Sequence, residues 1–233
     1  MATDTISSAG AALSAALRAA PDAAVASCPG WTVATLATHL AAVHAWAAAN
    51  VAAASPEMQP FPTPPPDLAG EDLAVWADEQ RALLLDALAA ADPAHEAWTF
   101  GGPAPAMFWW RRQCHETAMH AWDATAALGS PWTIPGDVAA DGLVELFDFL
   151  PRKFEDVSWG AGKTIHFHRT DGDAEWVLTV TAPPEIREGH VKSDLAVRGS
   201  AADLWLWAMN RPAEVELIGD TALATGWREN VKI

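Results

Sequence analysis

Glu116 and His120 stand four residues apart in Arg111-Arg112-Gln113-Cys114-His115-Glu116-Thr117-Ala118-Met119-His120-Ala121-Trp122-Asp123. A helix turns once every 3.6 residues, so this spacing stacks a carboxylate and an imidazole on one face, and Asp123 continues the line a turn later. No Gly or Pro interrupts Met107 to Leu128, and the Ala, Met, Gln and Arg content favours the helix that the spacing requires. Such a pair is either half of a metal site or an ordinary hydrogen-bonded helix face; a donor from elsewhere would separate the two. His39 is the candidate. In the helix predicted from Val33 to Ala52, capped by the Thr32 hydroxyl, Leu36, Leu40, Val43 and Ala47 make an apolar stripe on which His39 falls. The expectation is an inward imidazole, a ligand or a core histidine satisfied by one hydrogen bond. His44, about 140° further round, is expected at the edge of the bundle.

Two helices of one bundle would thus bring three N/O donors to a point. Three protein ligands and an open fourth position is the arrangement of a catalytic zinc site; a structural site is normally closed by a fourth protein ligand. His44 and His115 are the nearby candidates for closure, and both are read as pointing off the stripe. Asp123 is read either as the acceptor that orients a ligating histidine or as a helix-surface carboxylate. His166 and His168, two apart on a predicted strand, share a face, but no third ligand is seen near them and they are expected to be solvated.

The elements that must carry these groups fall into two sets. Helices are predicted over Asp4 to Ala20, Val33 to Ala52, Glu71 to Ala91 and Pro105 to Leu128, the last closed by Gly129. Between the second and third, the proline-rich stretch from Ser55 to Gly70 reads as an extended connection. This predicts an up-down four-helix bundle over residues 1–130. After a boundary near Gly129 to Pro135, residues 135–233 read as a small α+β domain. A helix is predicted from Asp137 to Phe154, then strands at Thr164 to His168, Glu175 to Val180 and His190 to Val197 that form a hairpin with an added strand. A helix capped by Ser200, a strand Val215 to Ile218 and a helix from Ala222 to Glu229 follow.

A formal charge of −16 without a Lys/Arg run sets aside nucleic acid and anionic membrane surfaces as partners. Two cysteines, Cys28 and Cys114, make no disulfide framework, which fits a reducing compartment. No charged segment leads into an apolar run, which argues against a signal peptide, and no window is apolar enough to span a bilayer. A cytoplasmic protein, monomer or homodimer, is expected.

The motifs Cys28-Pro29-Gly30-Trp31-Thr32-Val33, Leu36-Ala37-Thr38-His39-Leu40 and Arg112 to Ala124 resemble the metal-binding domain of the mycothiol-dependent maleylpyruvate isomerase family, within the broader DinB-like four-helix group. The run Val197 to Leu204, with Asn210-Arg211-Pro212 and Ile218-Gly219-Asp220, resembles that family's second domain. The resemblance implies that His39, Glu116 and His120 are zinc ligands, and that Arg211 binds a substrate carboxylate. This chain carries Asn210 where many relatives carry Gly. It further implies that the thiol of mycothiol occupies the open zinc position as thiolate, so that no catalytic cysteine is needed. The thiolate would add to the activated double bond of an electrophilic small molecule such as maleylpyruvate, followed by rotation and elimination to the trans isomer. The broader form is thiol S-transfer. Two other uses of the fold stay open: a zinc hydrolase with metal-activated water, and a non-catalytic metal-binding regulatory or stress module.

Overall fold

Helix α1 (Ala2–Ala19) packs against α3 (Gly70–Ala90) and α4 (Met107–Ala126), and α2 (Val33–Ala53) packs against the same two. The computed structural model that shows this describes residues 2–152 and 156–231, and divides into two compact units, Met1–Thr133 and Ile134–Ile233. The first is the helical bundle expected from the sequence. Ile6, Leu13 and Leu17 of α1, Leu36 and Leu40 of α2, and Leu73, Leu84 and Leu88 of α3 are its buried apolar side chains. Burial on this scale, about 25 cal/mol per Å² of apolar surface, is what holds Ala-rich helices together. The contact between α2 and α4 is the one on which the functional reading depends, because His39 lies on one helix and Glu116 and His120 on the other.

Caps and turns define the ends. Thr32 accepts from the Thr35 amide, and Ser200 does the same for Asp203 at the start of α6 (Ala201–Ala208). After α4, Gly129 adopts φ 76°, and the Thr125 hydroxyl accepts from the Trp132 amide, which turns the chain out of the bundle. The irregular stretch before α4 forms a two-stranded ladder, β1 (Glu96–Ala97) with β2 (Ala104–Pro105). It supplies the Trp98 carbonyl that accepts from the buried Trp109 indole, as the Gln59 carbonyl accepts from Trp46. The chain has 13 Trp and no Tyr, and part of that balance has a structural reason: large rings fill the bundle where irregular backbone supplies carbonyls for their N–H groups.

The second unit is a five-stranded mixed sheet in the order β5-β4-β3-β6-β7, with α5 (Gly136–Phe149), α6 and α7 (Ala222–Asn230). Its strands are β3 (Thr164–Arg169), β4 (Glu175–Thr179), β5 (Glu185–Glu188), β6 (Leu195–Gly199) and β7 (Glu216–Gly219). β3 pairs antiparallel with β4 and parallel with β6. Ile165, Phe167, Trp176, Leu178, Leu195 and Val197 are buried, and Phe167 meets Phe147, Trp207 and Trp227 edge to face at 5.2–5.8 Å. Gly219 needs its φ of 106°, and a Cβ there would lie 2.2 Å from the Asp194 carbonyl oxygen.

Three expectations change in detail. The strand predicted from His190 begins at Leu195, and β5, which reads Glu-Ile-Arg-Glu, was not anticipated because an edge strand rich in charge lacks the apolar alternation of a half-buried one. The helix predicted to Phe154 ends at Phe149 and passes into a 3₁₀ turn, Leu150–Arg152; Phe154 itself lies outside the described residues. No helix among the described residues is long and apolar enough to cross a membrane.

Candidate metal centre

The turn between α1 and α2 sets up one side of the cluster. The Val25 and Val33 amides donate to the Trp31 and Ala23 carbonyls, the Trp31 amide donates to Cys28, and Gly30 takes φ 84° at the tip. This folds Cys-Pro-Gly-Trp into a tight loop that aims two groups. Trp31 lays its ring 5.1 Å from that of His39, and Ser27 donates its hydroxyl to Asp123 Oδ1 at 2.6 Å.

Glu116 is the hub. Its Oε1 lies 3.3 Å from His120 Nε2 and 3.6 Å from His39 Nε2, and its Oε2 takes the Arg112 guanidinium from one turn earlier. Behind the pair, Asp123 Oδ2 is 3.1 Å from His120 Nδ1. A proton on Nδ1 is thereby directed to Asp123, so Nε2 faces His39 and Glu116 as the donor atom. The three expected ligands thus come together, and Asp123 supports one of them from the far side of its ring. The Arg112–Glu116 pair was missed in the sequence although its i,i+4 spacing was readable.

Charge is tightly managed here. Burial alone would raise the Glu116 carboxyl, but Arg112 and the hydrogen bonds from His120 and His39 hold it well below the usual carboxylate range. Burial would likewise lower His120, yet bonds to Asp123 and Glu116 raise it to about 9. The two carboxylates that favour a proton on this ring would also favour a divalent cation in contact with it.

The donor set fits such an ion. Zinc held at ~2.0–2.2 Å by nitrogen and oxygen on a tetrahedron sets neighbouring donors roughly 3.4 Å apart, and the two spacings from Glu116 Oε1, 3.3 and 3.6 Å, bracket that value. Donor atoms of His39, Glu116 and His120 all lie within 4.8 Å of one another. His44 and His115 do not join them among the described residues.

Two placements correct the sequence reading. His39, expected inward, keeps 35% of its side chain exposed, and His44, expected at the edge, is 2% exposed in the core. α2 is apolar around most of its circumference, with Ala37, Ala41, Ala42, Ala47, Ala48 and Val51 buried as well, so no single stripe marked its inner face. His44 Nε2 meets Thr117 Oγ1 at 2.9 Å. That hydroxyl spends its proton on the Gln113 carbonyl, so His44 must be the donor. Burial pushes His44 down to about 3, with the Arg81 charge adding to the effect. Cys28 also stands near the cluster. Its Sγ lies 4.0 Å from Asp123 Oδ2, on the Nδ1 side of His120, so a thiol borders the support of the cluster rather than its donor face.

Arg211 belongs to the second unit. It is 7% exposed, its amide donates to Leu206, and its Nη1 donates to the Met209 carbonyl at 2.8 Å. Asn210 before it has φ 62°, left-handed backbone that Gly takes freely and Asn takes more readily than other side chains, so Asn preserves the turn. The Asn210 amide group donates to the Val231 carbonyl at 2.7 Å. The histidine pair on β3 is also corrected: Glu175 and His190 stand beside His166 and His168.

Residues 3–125 match the family model described as the mycothiol maleylpyruvate isomerase N-terminal domain. The crystal structures of the mycothiol-dependent maleylpyruvate isomerase and of a histidine-to-alanine mutant of it each align with a TM-score of 0.66 at 20% identity, covering 93% of this chain and 91% of theirs. At that identity the likeness shows a shared fold. No curated protein matches the chain.

Proposed function

The chain belongs to the mycothiol maleylpyruvate isomerase N-terminal domain family, and on that premise we propose that it is a metal-dependent, thiol-using isomerase or S-transferase, with mycothiol as thiol and an electrophilic small molecule such as maleylpyruvate as acceptor. The observation that carries this reading is the convergence of His39 and His120 on one oxygen of Glu116, at 3.6 and 3.3 Å. When bound there, zinc would supply a coordinated thiol as thiolate at neutral pH.

The chain's own groups do the rest. Glu116 gives one oxygen to the histidines while Arg112 holds the other, which fixes the carboxylate's rotation. Asp123 and Ser27 hold the His120 ring with Nε2 forward. With Glu116 taken up as a ligand, a hydrolase would need Asp123 as its base, but Asp123 is 1% exposed and engaged by Ser27 and His120, a position that supports the thiol reading over metal-activated water. A carboxylate on the electrophile calls for a guanidinium, and Arg211 is the expected one: Arg211→Lys should raise KM for an unsaturated acid without changing metal content.

The deciding experiment uses untagged, Co²⁺-substituted protein titrated with mycothiol. A thiolate-to-cobalt absorption band that appears with the thiol and is absent in Glu116→Ala supports the reading and directs substrate screening to unsaturated acids. Metal bound without such a band would favour the hydrolytic or non-catalytic alternatives.

A further inference from the structure

The sheet of the second unit carries its own cluster. His166 and His168 alternate to one face of β3, and Glu175 sits directly opposite His168 across the antiparallel pair, on that same face. The fourth member arrives from the end of β5. The Gly189 amide donates to the Glu175 carbonyl at 3.0 Å, and Gly189, at φ 123°, turns the chain so that His190 comes back over the strands. Glu175 Oε2 is then 2.8 Å from His166 Nε2 and 2.7 Å from His190 Nδ1, and Oε1 is 3.1 Å from His168 Nδ1.

The rings are arranged around a point rather than stacked. Their centroids are 5.5, 5.1 and 5.7 Å apart and each pair is close to perpendicular, at 81°, 86° and 75°. Three imidazoles bound to one ion at ~2.1 Å on a tetrahedron would place their centroids roughly 5.2 Å apart. One N–H from each imidazole can make these contacts to the carboxylate without a metal, but one ligand atom from each of the four residues lies within 4.8 Å of all the others, so the same four groups can turn onto a single ion. Over the cluster lies a cavity of about 450 Å³ whose lining includes Lys192, Ser193, Arg198 and Ile218, so an ion could reach it from solvent.

We propose that His166, His168, Glu175 and His190 form a second divalent transition-metal site, separate from the cluster on the helices. Imidazole and carboxylate donors suit Zn²⁺, Co²⁺ or Ni²⁺.

Untagged protein is stripped with chelator, loaded with Zn²⁺ in equimolar steps, desalted and assayed for metal. The parent should retain two equivalents. His168→Ala with His190→Ala, at a partly exposed and an exposed position outside the apolar core, should retain one. Glu116→Ala with His120→Ala should also retain one, and zinc should still raise the Tm of that variant. Glu175→Gln, which keeps the side chain's shape, is the second probe and should weaken zinc binding in the Glu116→Ala, His120→Ala background. A single equivalent that is lost in His168→Ala with His190→Ala supports this site and sinks the helical one. A parent count that the His168→Ala, His190→Ala change leaves untouched overturns the proposal.

Discussion

In the helical unit the ligand cluster is braced from outside: Asp123 and Ser27 stand behind His120, Arg112 beside Glu116, and Trp31 against His39. In the sheet unit the four-residue cluster leans on itself, with Glu175 meeting all three histidines at once. Bracing lets three donors hold their directions while a fourth position stays available to a small molecule, as a catalytic centre needs. A cluster whose carboxylate is also its scaffold has less freedom to release one ligand. On the two proposals made above, the difference would separate a site suited to exchange from one suited to retention.

The strongest way to break the comparison is to remove the hub of the helical cluster. Glu116→Ala should lower metal affinity at the helices by more than about 100-fold, beyond the 10- to 100-fold typical of losing an outer partner, while the far-UV circular dichroism stays helical. Asp123→Asn tests the bracing itself. It keeps the size of the side chain but weakens the acceptor behind His120, so helical affinity should fall by about 10- to 100-fold with the sheet equivalent unchanged. Competition against a chromophoric chelator reads both. Equal loss at the two sites would mean that the bracing has no local effect.

How much of this was legible depends on how far apart the partners lie in the chain. Glu116 and His120 share a face because four residues nearly complete a turn, and Arg112 stood at the same spacing; local periodicity suffices for all three. His39 lies 77 positions before Glu116; an apolar stripe aimed it inward, but periodicity names no partner, and the resemblance of whole motifs was what tied it to Glu116 and His120 as one ligand set. The helix ends marked by Thr32, Ser200 and Gly129 were readable for the same local reason, whereas the end of α5 at Phe149, which has no such signal, was not. The parallel pairing of β3 with β6 was not, because no pattern along a strand names its neighbour. His190 shows the limit most sharply. It lies in a loop, and only the register of β4 with β5 and the turn at Gly189 bring it to Glu175.

Acid should distinguish the wild-type chain from a variant of His44, buried on α2. His44 ordinarily titrates near 6.5 and is pushed down to about 3 when folded, so between these values the unfolded chain binds the extra proton. The sign is therefore destabilising as pH falls below 6.5, by about 1.4 kcal/mol per pH unit, with no contribution above it. His44→Gln, which can still donate to Thr117, should lose this part of the slope. Denaturation in guanidinium at pH 7, 6 and 5 measures it, and parallel slopes for the two proteins would place the acid sensitivity elsewhere.

The smallest effect concerns His39, the candidate ligand that an indole packs against. Trp31 meets His39 at 5.1 Å and 59°, an aromatic contact worth about 0.5–1.5 kcal/mol. Because His39 remains 35% exposed, removing the indole frees the imidazole to turn toward water more than it costs the core. Trp31→Ala should therefore weaken helical metal binding by about 2- to 12-fold, that same energy expressed as an equilibrium constant, and Trp31→Phe should recover most of it. If Trp31→Ala instead lowers the Tm with metal affinity unchanged, the indole serves the packing of the turn, and His39 is oriented by the metal and Glu116 alone.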